Sequence, residues 1–411
     1  MDTGIAPLVS PAGPASARRL LFARGLRAFA DGFVSLLLPI YLLGLGFSAL
    51  EVGIIATATL AGSGLSTLAI GFVAHRFSHR RLLLAATLLM AATGLAFASL
   101  TAFWPLLIVA FVGTLNPSSG DVSVFLPLEH AVLSHTVTDE RRTSAFARYS
   151  LIGSLAAATG SLAAGVPAWL ATASGLSLTA SIQWMFVLYA AMGAATALAY
   201  RGLPRASEAG PGSAKSALGK SKRIVYTLAA LFSIDAFGGG LVVQSMIALW
   251  LYQRFGLSLA TAGSLFFWLG LVTSVSYLVA ARVSRRIGLV NTMVFTHLPA
   301  NLCLVLVPFV ADLRYVIALL IVRSALSQMD VPTRTSYVMA IVEPAERPAA
   351  ASVTSVPRSL ASAAGPSLAG YLLTLSPFGW PLLVAGATKI VYDLLLLALF
   401  AKVRPPEERR E

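Results

Sequence analysis

Apolar residues run through this chain in stretches of about twenty, the length that crosses a bilayer as a helix, separated by short polar and basic turns. The pattern predicts twelve spans, at 20–46, 49–74, 82–103, 105–134, 143–167, 182–200, 224–252, 258–281, 288–310, 315–342, 349–374 and 380–402. None has the ten-residue alternation of an outer-membrane barrel strand. The expected fold class is therefore an all-α integral membrane protein. The sharpest interruption lies in the apolar segment from Ile317 to Val342, where Leu326-Ser327-Gln328-Met329-Asp330-Val331-Pro332-Thr333-Arg334 places an acid and a base four residues apart. On a helix they share one face, and Pro332 weakens the backbone ladder between them. Charges at that depth are costly and face a bundle interior or a water-filled cavity. Gly120-Asp121 is an echo of this stretch in the first half.

Composition supports the membrane assignment. The 411 residues are 57% hydrophobic and only 11% charged, with mean hydropathy +0.80, against about 25% charged in a soluble domain. Residues 1–17 lack the charged-then-apolar order of a secretory signal. One cysteine, Cys303, excludes an internal disulfide framework. The net charge of +13 needs no nucleic acid to explain it, because the basic residues collect in alternate loops. One side carries Arg76, Arg80, Arg81, Arg141, Arg142, Arg282, Arg285, Arg286, Arg347 and the tail, while the other has only Arg254 and Arg314. The positive-inside rule then puts both termini in the cytoplasm of an inner, cell-membrane protein. Trp104, Trp169, Trp250 and Trp380 fall where an outer aromatic belt would lie.

The longest polar break, from Arg201 to Arg223, is rich in Gly, Ser and charge and reads as a linker. The expected organisation is a cytoplasmic segment 1–19, a six-helix bundle 20–200, a linker 201–223, a second bundle 224–402 and a tail 403–411. The two bundles repeat. Gly46-Phe47-Ser48 answers Gly256-Leu257-Ser258, Gly71 through Arg76 lies opposite Ala281 through Arg286, and Arg148 lies opposite Arg358, each at an offset of 210; Asp121 and Asp330 are offset by 209. Two like-oriented repeats place a binding site between them near the midplane.

Gly71-Phe72-Val73-Ala74-His75-Arg76-Phe77-Ser78-His79-Arg80-Arg81 resembles the signature that follows the second helix of major facilitator superfamily transporters. His75 stands where the family has an acid and Ser78 where it has a glycine. Gly365-Pro366-Ser367-Leu368-Ala369-Gly370 resembles the family's antiporter motif, displaced to the eleventh helix. The resemblance covers nearly the whole chain. It implies a cavity lined by helices 1, 4, 7 and 10, flanked by 2, 5, 8 and 11, with 3, 6, 9 and 12 outside. Gly71, Arg76, Arg80 and Arg81 are the residues of that cytoplasmic-loop motif here, while the acid that locks the family's gate is replaced by His75.

The charges within the spans are the candidate chemistry. Asp235 has no base one turn away and precedes Gly238-Gly239-Gly240, so it reads as an isolated carboxylate on a weakened helix, suited to proton coupling. Asp31, Asp121, Asp330 and Gln244 are further coupling or substrate candidates. Arg27, Glu129, Arg148, Arg334 and Arg358 are gating or anion-binding candidates. Distance from the cytoplasmic turns pairs Glu129 with Arg148 and Asp330 with Arg358. Arg27 with Asp31, and Lys389 with Asp393, read as local pairs, the latter in a peripheral helix. Structural ion pairing is the alternative for all of them. No nucleophile–base set, phosphate loop or metal-ligand cluster appears in the sequence, so no enzyme, cofactor or metal site is expected. The expected function is proton-coupled export of a small solute by alternating access. A divalent-cation or anion carrier, and an uncoupled sensor or lipid mover, are the alternatives. The expected partners are the small-molecule or ion substrate, protons and the lipid bilayer, with no nucleic acid, and the chain is expected to be a monomer.

Overall fold

A computed structural model describes residues 14–73, 76–118, 123–136, 139–204, 218–219, 221–343, 346–401 and 403. Among them are α-helices α1 (Pro14–Gly44), α2 (Ala49–Val73), α3 (His79–Ser99), α4 (Phe103–Val112), α5 (Phe125–Thr136), α6 (Asp139–Ala163), α7 (Val166–Ser174) and α8 (Leu178–Arg201). The second half supplies α9 (Lys222–Leu241), α10 (Gln244–Phe255), α11 (Leu259–Ile287), α12 (Leu289–Leu306), α13 (Leu313–Leu326), α14 (Asp330–Ile341), α15 (Arg347–Leu375) and α16 (Trp380–Phe400). They map onto the twelve predicted spans, because the fourth, fifth, seventh and tenth are each broken into two pieces. Among the described residues, nine helical segments are long and apolar enough to cross a membrane, two of them joining α6 with α7 and α9 with α10.

The repeated Gly-x-Ser has one structural role in both halves. Gly46 and Gly256 adopt positive φ, 91° and 60°, ending α1 and α10. Ser48 and Ser258 then open α2 and α11: the Ser48 amide donates to Glu51 at 2.7 Å, and Ser258 Oγ accepts from the Thr261 amide at 3.1 Å. The breaks are satisfied as well. Where the seventh span opens between α9 and α10, the Ser245 amide donates to the Pro117 carbonyl at 3.0 Å, in the non-helical stretch that separates α4 from α5. Each opening supplies the partner the other lacks, as irregular backbone at membrane depth requires.

α1 and α10 form the buried centre, with Leu36, Leu37, Leu38, Leu249, Trp250 and Leu251 essentially inaccessible. Trp250 thus leaves the predicted aromatic belt, donating its indole N–H to the Pro377 carbonyl at 3.1 Å; Trp104, Trp169 and Trp380 are exposed as expected. The two halves meet along α2 with α15, α6 with α11, and α1 with α10. Thr57 and Ser367 hydroxyls lie 2.8 Å apart, as do those of Ser154 and Ser274 at 2.7 Å. Gly53 allows α2 to touch the backbone of Pro366 and Gly370. These contacts run from midspan toward the end opposite the chain termini. At the other end, among the described residues, the side-chain bonds to loop backbone stay within one half: Arg19 donates to the Gly202 carbonyl, and Glu346 accepts from the amides of Gly219 and Ser221. Gly71 there has open space around it, and Arg76 and Arg81 are exposed.

Candidate functional site: two buried charge clusters

Each half encloses one cluster of ionisable side chains. In the first, Arg27 of α1 donates to Glu129 of α5, which is fully buried. Tyr149 and Tyr200 also donate to Glu129, at 2.5 and 2.6 Å. The Arg27 guanidinium lies over the Phe125 ring, 4.1 Å from its centroid. Asp31, one turn further along α1, is buried within electrostatic range of Arg27 and Tyr189. Three donors on one carboxylate account for its stability in a low-dielectric interior. The Glu129–Arg148 pairing expected from depth is not formed. Arg148 is exposed and lies on the face of α6 that carries Leu155, Thr159 and Leu162, near the inner end of its span. Counting residues from a turn gives depth but not direction around the helix.

The second cluster is larger and is centred on Asp235 of α9. Its Oδ1 accepts from Lys389 Nζ of α16 at 2.6 Å, and its Oδ2 from Arg334 Nη2 of α14 at 3.0 Å. Arg334 also donates to Asp330 on its own helix, realising the four-residue spacing read from the sequence. The Arg334 guanidinium lies 5.1 Å from the centroid of the Phe232 ring. His297 of α12 extends the network: its Nδ1 is 2.9 Å from Asp393 Oδ1, and its Nε2 is 3.8 Å from Asp235 Oδ1. Asn301 donates to the other Asp393 oxygen at 2.8 Å.

Three expectations are corrected here. Asp235 is not isolated; its bases come from α14 and α16, 99 and 154 residues away in sequence. Lys389 and Asp393 do not pair with each other but reach Asp235 and His297. Asp330 bonds to Arg334 rather than to Arg358. The outer helices also contribute to the interior, through His297, Asn301, Lys389 and Asp393. The glycine run does not unwind α9, which continues to Leu241. Gly238 leaves room for the Lys389 stem, whose Cγ would lie 3.0 Å from a Cβ there, and Gly240 lets α9 touch the Ser362 carbonyl and Gly365 of α15.

The two clusters are related by the repeat with their charges exchanged. Arg27 lies thirteen positions beyond Pro14, where α1 begins, and Asp235 thirteen beyond Lys222, where α9 begins. Glu129 lies seven positions before Thr136 and Arg334 seven before Ile341, at the ends of α5 and α14. Equivalent pairs of spans are bridged in the two halves, the first with the fourth and the seventh with the tenth, with the base on the first span and the acid on the seventh; at the repeat's offset of 210 the bridging residues fall two to five positions apart. Gln244 opens α10 and approaches Ser161 across the seam, with 3.4 Å between Nε2 and Oγ. Arg80 and Arg81 lie in the first turn of α3. Asp121 falls outside the described residues. Two apolar grooves, of about 260 and 380 Å³, lie between α3 and α4 and among α1, α6 and α8, and neither reaches these clusters.

His297 was not singled out in the sequence, although a signal exists. His297 and Asn301 are four apart, as are Lys389 and Asp393, so two otherwise apolar helices each carry a polar stripe, and the stripes face one another.

The profile of the Major Facilitator Superfamily matches residues 20–327 and 228–411. An uncharacterized membrane protein of Saccharomyces cerevisiae, YJR124C, is 23% identical over 92% of this chain and 92% of its own length. Among solved structures, the nucleoside transporter NupG superposes with a TM-score of 0.72 at 15% identity, over 94% of this chain and 99% of its own. A bacterial homologue of the human lysosomal transporter Spinster, in an inward-facing and unoccupied conformation, gives 0.68 at 14%, over 94% and 96%. A POT family transporter in complex with a thioalcohol-conjugated peptide gives 0.71 at 14%, over 94% and 96%. At these identities the solved structures establish the shared fold.

Proposed function

Since the chain belongs to the major facilitator superfamily, and is a transporter rather than an enzyme, we propose that it moves a small solute by alternating access and couples that movement to protons at Asp235 and His297. The observation that carries this reading is the position of His297 between two carboxylates. The 2.9 Å contact between Nδ1 and Asp393 requires a proton between them. The other ring nitrogen then faces Asp235 at 3.8 Å, where a second proton turns the ring into a cation beside that acid. Asp235 is meanwhile held by Arg334 and Lys389, from two other helices.

Moving α14 relative to α9 separates Asp235 from Arg334 and leaves the buried carboxylate with Lys389 as its remaining base, a partial loss of a buried pairing whose full loss costs about 3–5 kcal/mol. A proton arriving through His297 removes that cost. Protonation and helix movement then become one event. With both termini inside, the seam along α2 and α15 closes the outer face, and the cleft opens to the cytoplasm. Export is the direction that the Gly365-Pro366 motif favours, and this motif sits in that outer seam. The divalent-cation alternative has less support: among the described residues, no three His, Cys, Asp or Glu side chains gather to hold a metal.

The test is proton release or uptake by purified protein in detergent on adding lipophilic cations, organic anions or divalent metals, repeated with Asp235→Asn and His297→Gln. Proton release or uptake with one ligand class, lost in both variants, is the expected result. A ligand that binds without any proton exchange contradicts the coupling.

A further inference from the structure

Among the described residues, the acids of the spans and the arginine of the eleventh span face different surroundings. Asp31, Glu129, Asp235, Asp330 and Asp393 are all buried. Arg358 of α15 is exposed, yet it does not face lipid. It lies one and two turns before Ser362 and Gly365, the residues that pack against Gly240 of α9. The lipid-exposed residues of α15, Leu360, Tyr371 and Leu375, lie on the other side of the helix. An exposed arginine on the face of a membrane helix that turns toward its neighbours is placed to meet a water-filled cavity between the halves.

Arg358 has no hydrogen-bond or ion-pair partner among the described residues, and the charge acting on it most strongly is the neighbouring Arg334. Arg334 is itself incompletely used: Nη2 serves both Asp235 and Asp330, while the buried Nε and Nη1 have no partner. Two guanidiniums within electrostatic range repel each other; Arg358 keeps a whole fork that matches a carboxylate or phosphate, whereas Arg334, whose forks both include the occupied Nη2, offers single donors at Nε and Nη1.

We propose that the transported solute carries an anionic group, a carboxylate or phosphate, which docks on Arg358 at the cleft face of α15 and takes up the free donors of Arg334. The bound anion competes with Asp235 and Asp330 for Arg334. Docking therefore loosens the bridge between α9 and α14 and leaves Asp235 ready to accept a proton. This names the substrate class for the transport reading above, and it depends on solute transport but not on proton coupling.

The test measures thermal unfolding of the full chain in detergent with inorganic phosphate, succinate or benzoate at matched ionic strength. Choline, Mg²⁺ and uridine serve as non-anionic controls, and phosphatidylglycerol in mixed micelles tells a lipid headgroup from a soluble anion. At least one anionic probe is expected to raise Tm. Arg358→Gln should weaken its apparent affinity roughly 10- to 100-fold, the loss typical of a hydrogen bond to a charged group. Arg358→Lys should recover part of it, and Arg148→Gln should change nothing. No stabilisation by any anionic probe, or an equal shift in Arg358→Gln, overturns the proposal, as does stabilisation by a control alone. An Arg358-dependent anion that neither takes up nor releases a proton keeps this site while ending the coupling; a neutral solute that exchanges protons does the reverse.

Discussion

At the residue scale, the pairings determine which substitutions are costly. Lys389→Met leaves Asp235 short of one buried base and is expected to destabilise the fold by about 3–5 kcal/mol. The double variant Asp235→Asn/Lys389→Met should lose clearly less than the sum of the two single losses in detergent unfolding; strict additivity would mean that the two residues do not interact. In the first cluster, Glu129→Gln keeps an acceptor for Tyr149 and Tyr200 but strands Arg27, with a similar expected cost. Arg148→Ala should stay within about 0.5 kcal/mol, as for a surface change. Equal costs at Glu129 and Arg148 would restore the pairing that depth alone suggested. The Asp330–Arg334 contact was legible because four residues on one helix fix a shared face. The partners of Asp235 were not, because nothing in the sequence states which way Lys389 points across 154 intervening positions.

At the element scale, the openings in α4/α5, α9/α10 and α13/α14 are what a span of uniform hydropathy conceals. The glycine run marked the right place on the seventh span for a different reason. Its residues admit Lys389 and α15, and the chain opens just after them, at Val242 and Val243. Gly240→Ala would push a Cβ into the Ser362 carbonyl of α15 and should cost about 1–3 kcal/mol by overpacking. Gly71→Ala, with open space around it, should be close to neutral. Reversal of that order in thermal unfolding would mean that α9 and α15 do not pack as described. The repeated Gly-x-Ser marks the duplication in sequence, and its physical content is a pair of helix ends: a positive-φ stop followed by a serine start.

At the scale of the whole molecule, the halves are joined from midspan toward the end away from the termini, and each encloses its own charge cluster with the signs exchanged. Alternating access requires the seam between α2 and α15 to part. Cysteines at Thr57 and Ser367, in a Cys303→Ser background, should form a disulfide readily, since the native hydroxyls are 2.8 Å apart. Labelling at the Arg81 end should then become insensitive to any condition that otherwise changes it. Continued change in the cross-linked protein would show that the seam is not the moving boundary. The twelve-span layout and the family were legible from hydropathy, loop charge and the loop motif. The charge-exchanged clusters were not, because they depend on how helices turn against one another.

The most direct test of proton coupling needs no substrate. Spin labels replacing Arg81 and Arg286, exposed at the ends of α3 and α11 nearest the termini, report the separation of the two halves by pulsed dipolar spectroscopy. The distance distribution would be measured at about pH 8 and about pH 5. The account predicts that lowering the pH, by loading a proton onto the His297–Asp235 unit and freeing Arg334, redistributes the distances. Asp235→Asn should hold one distribution at every pH. An unchanged distribution in the parent protein, or the same shift in Asp235→Asn, would contradict coupling at Asp235.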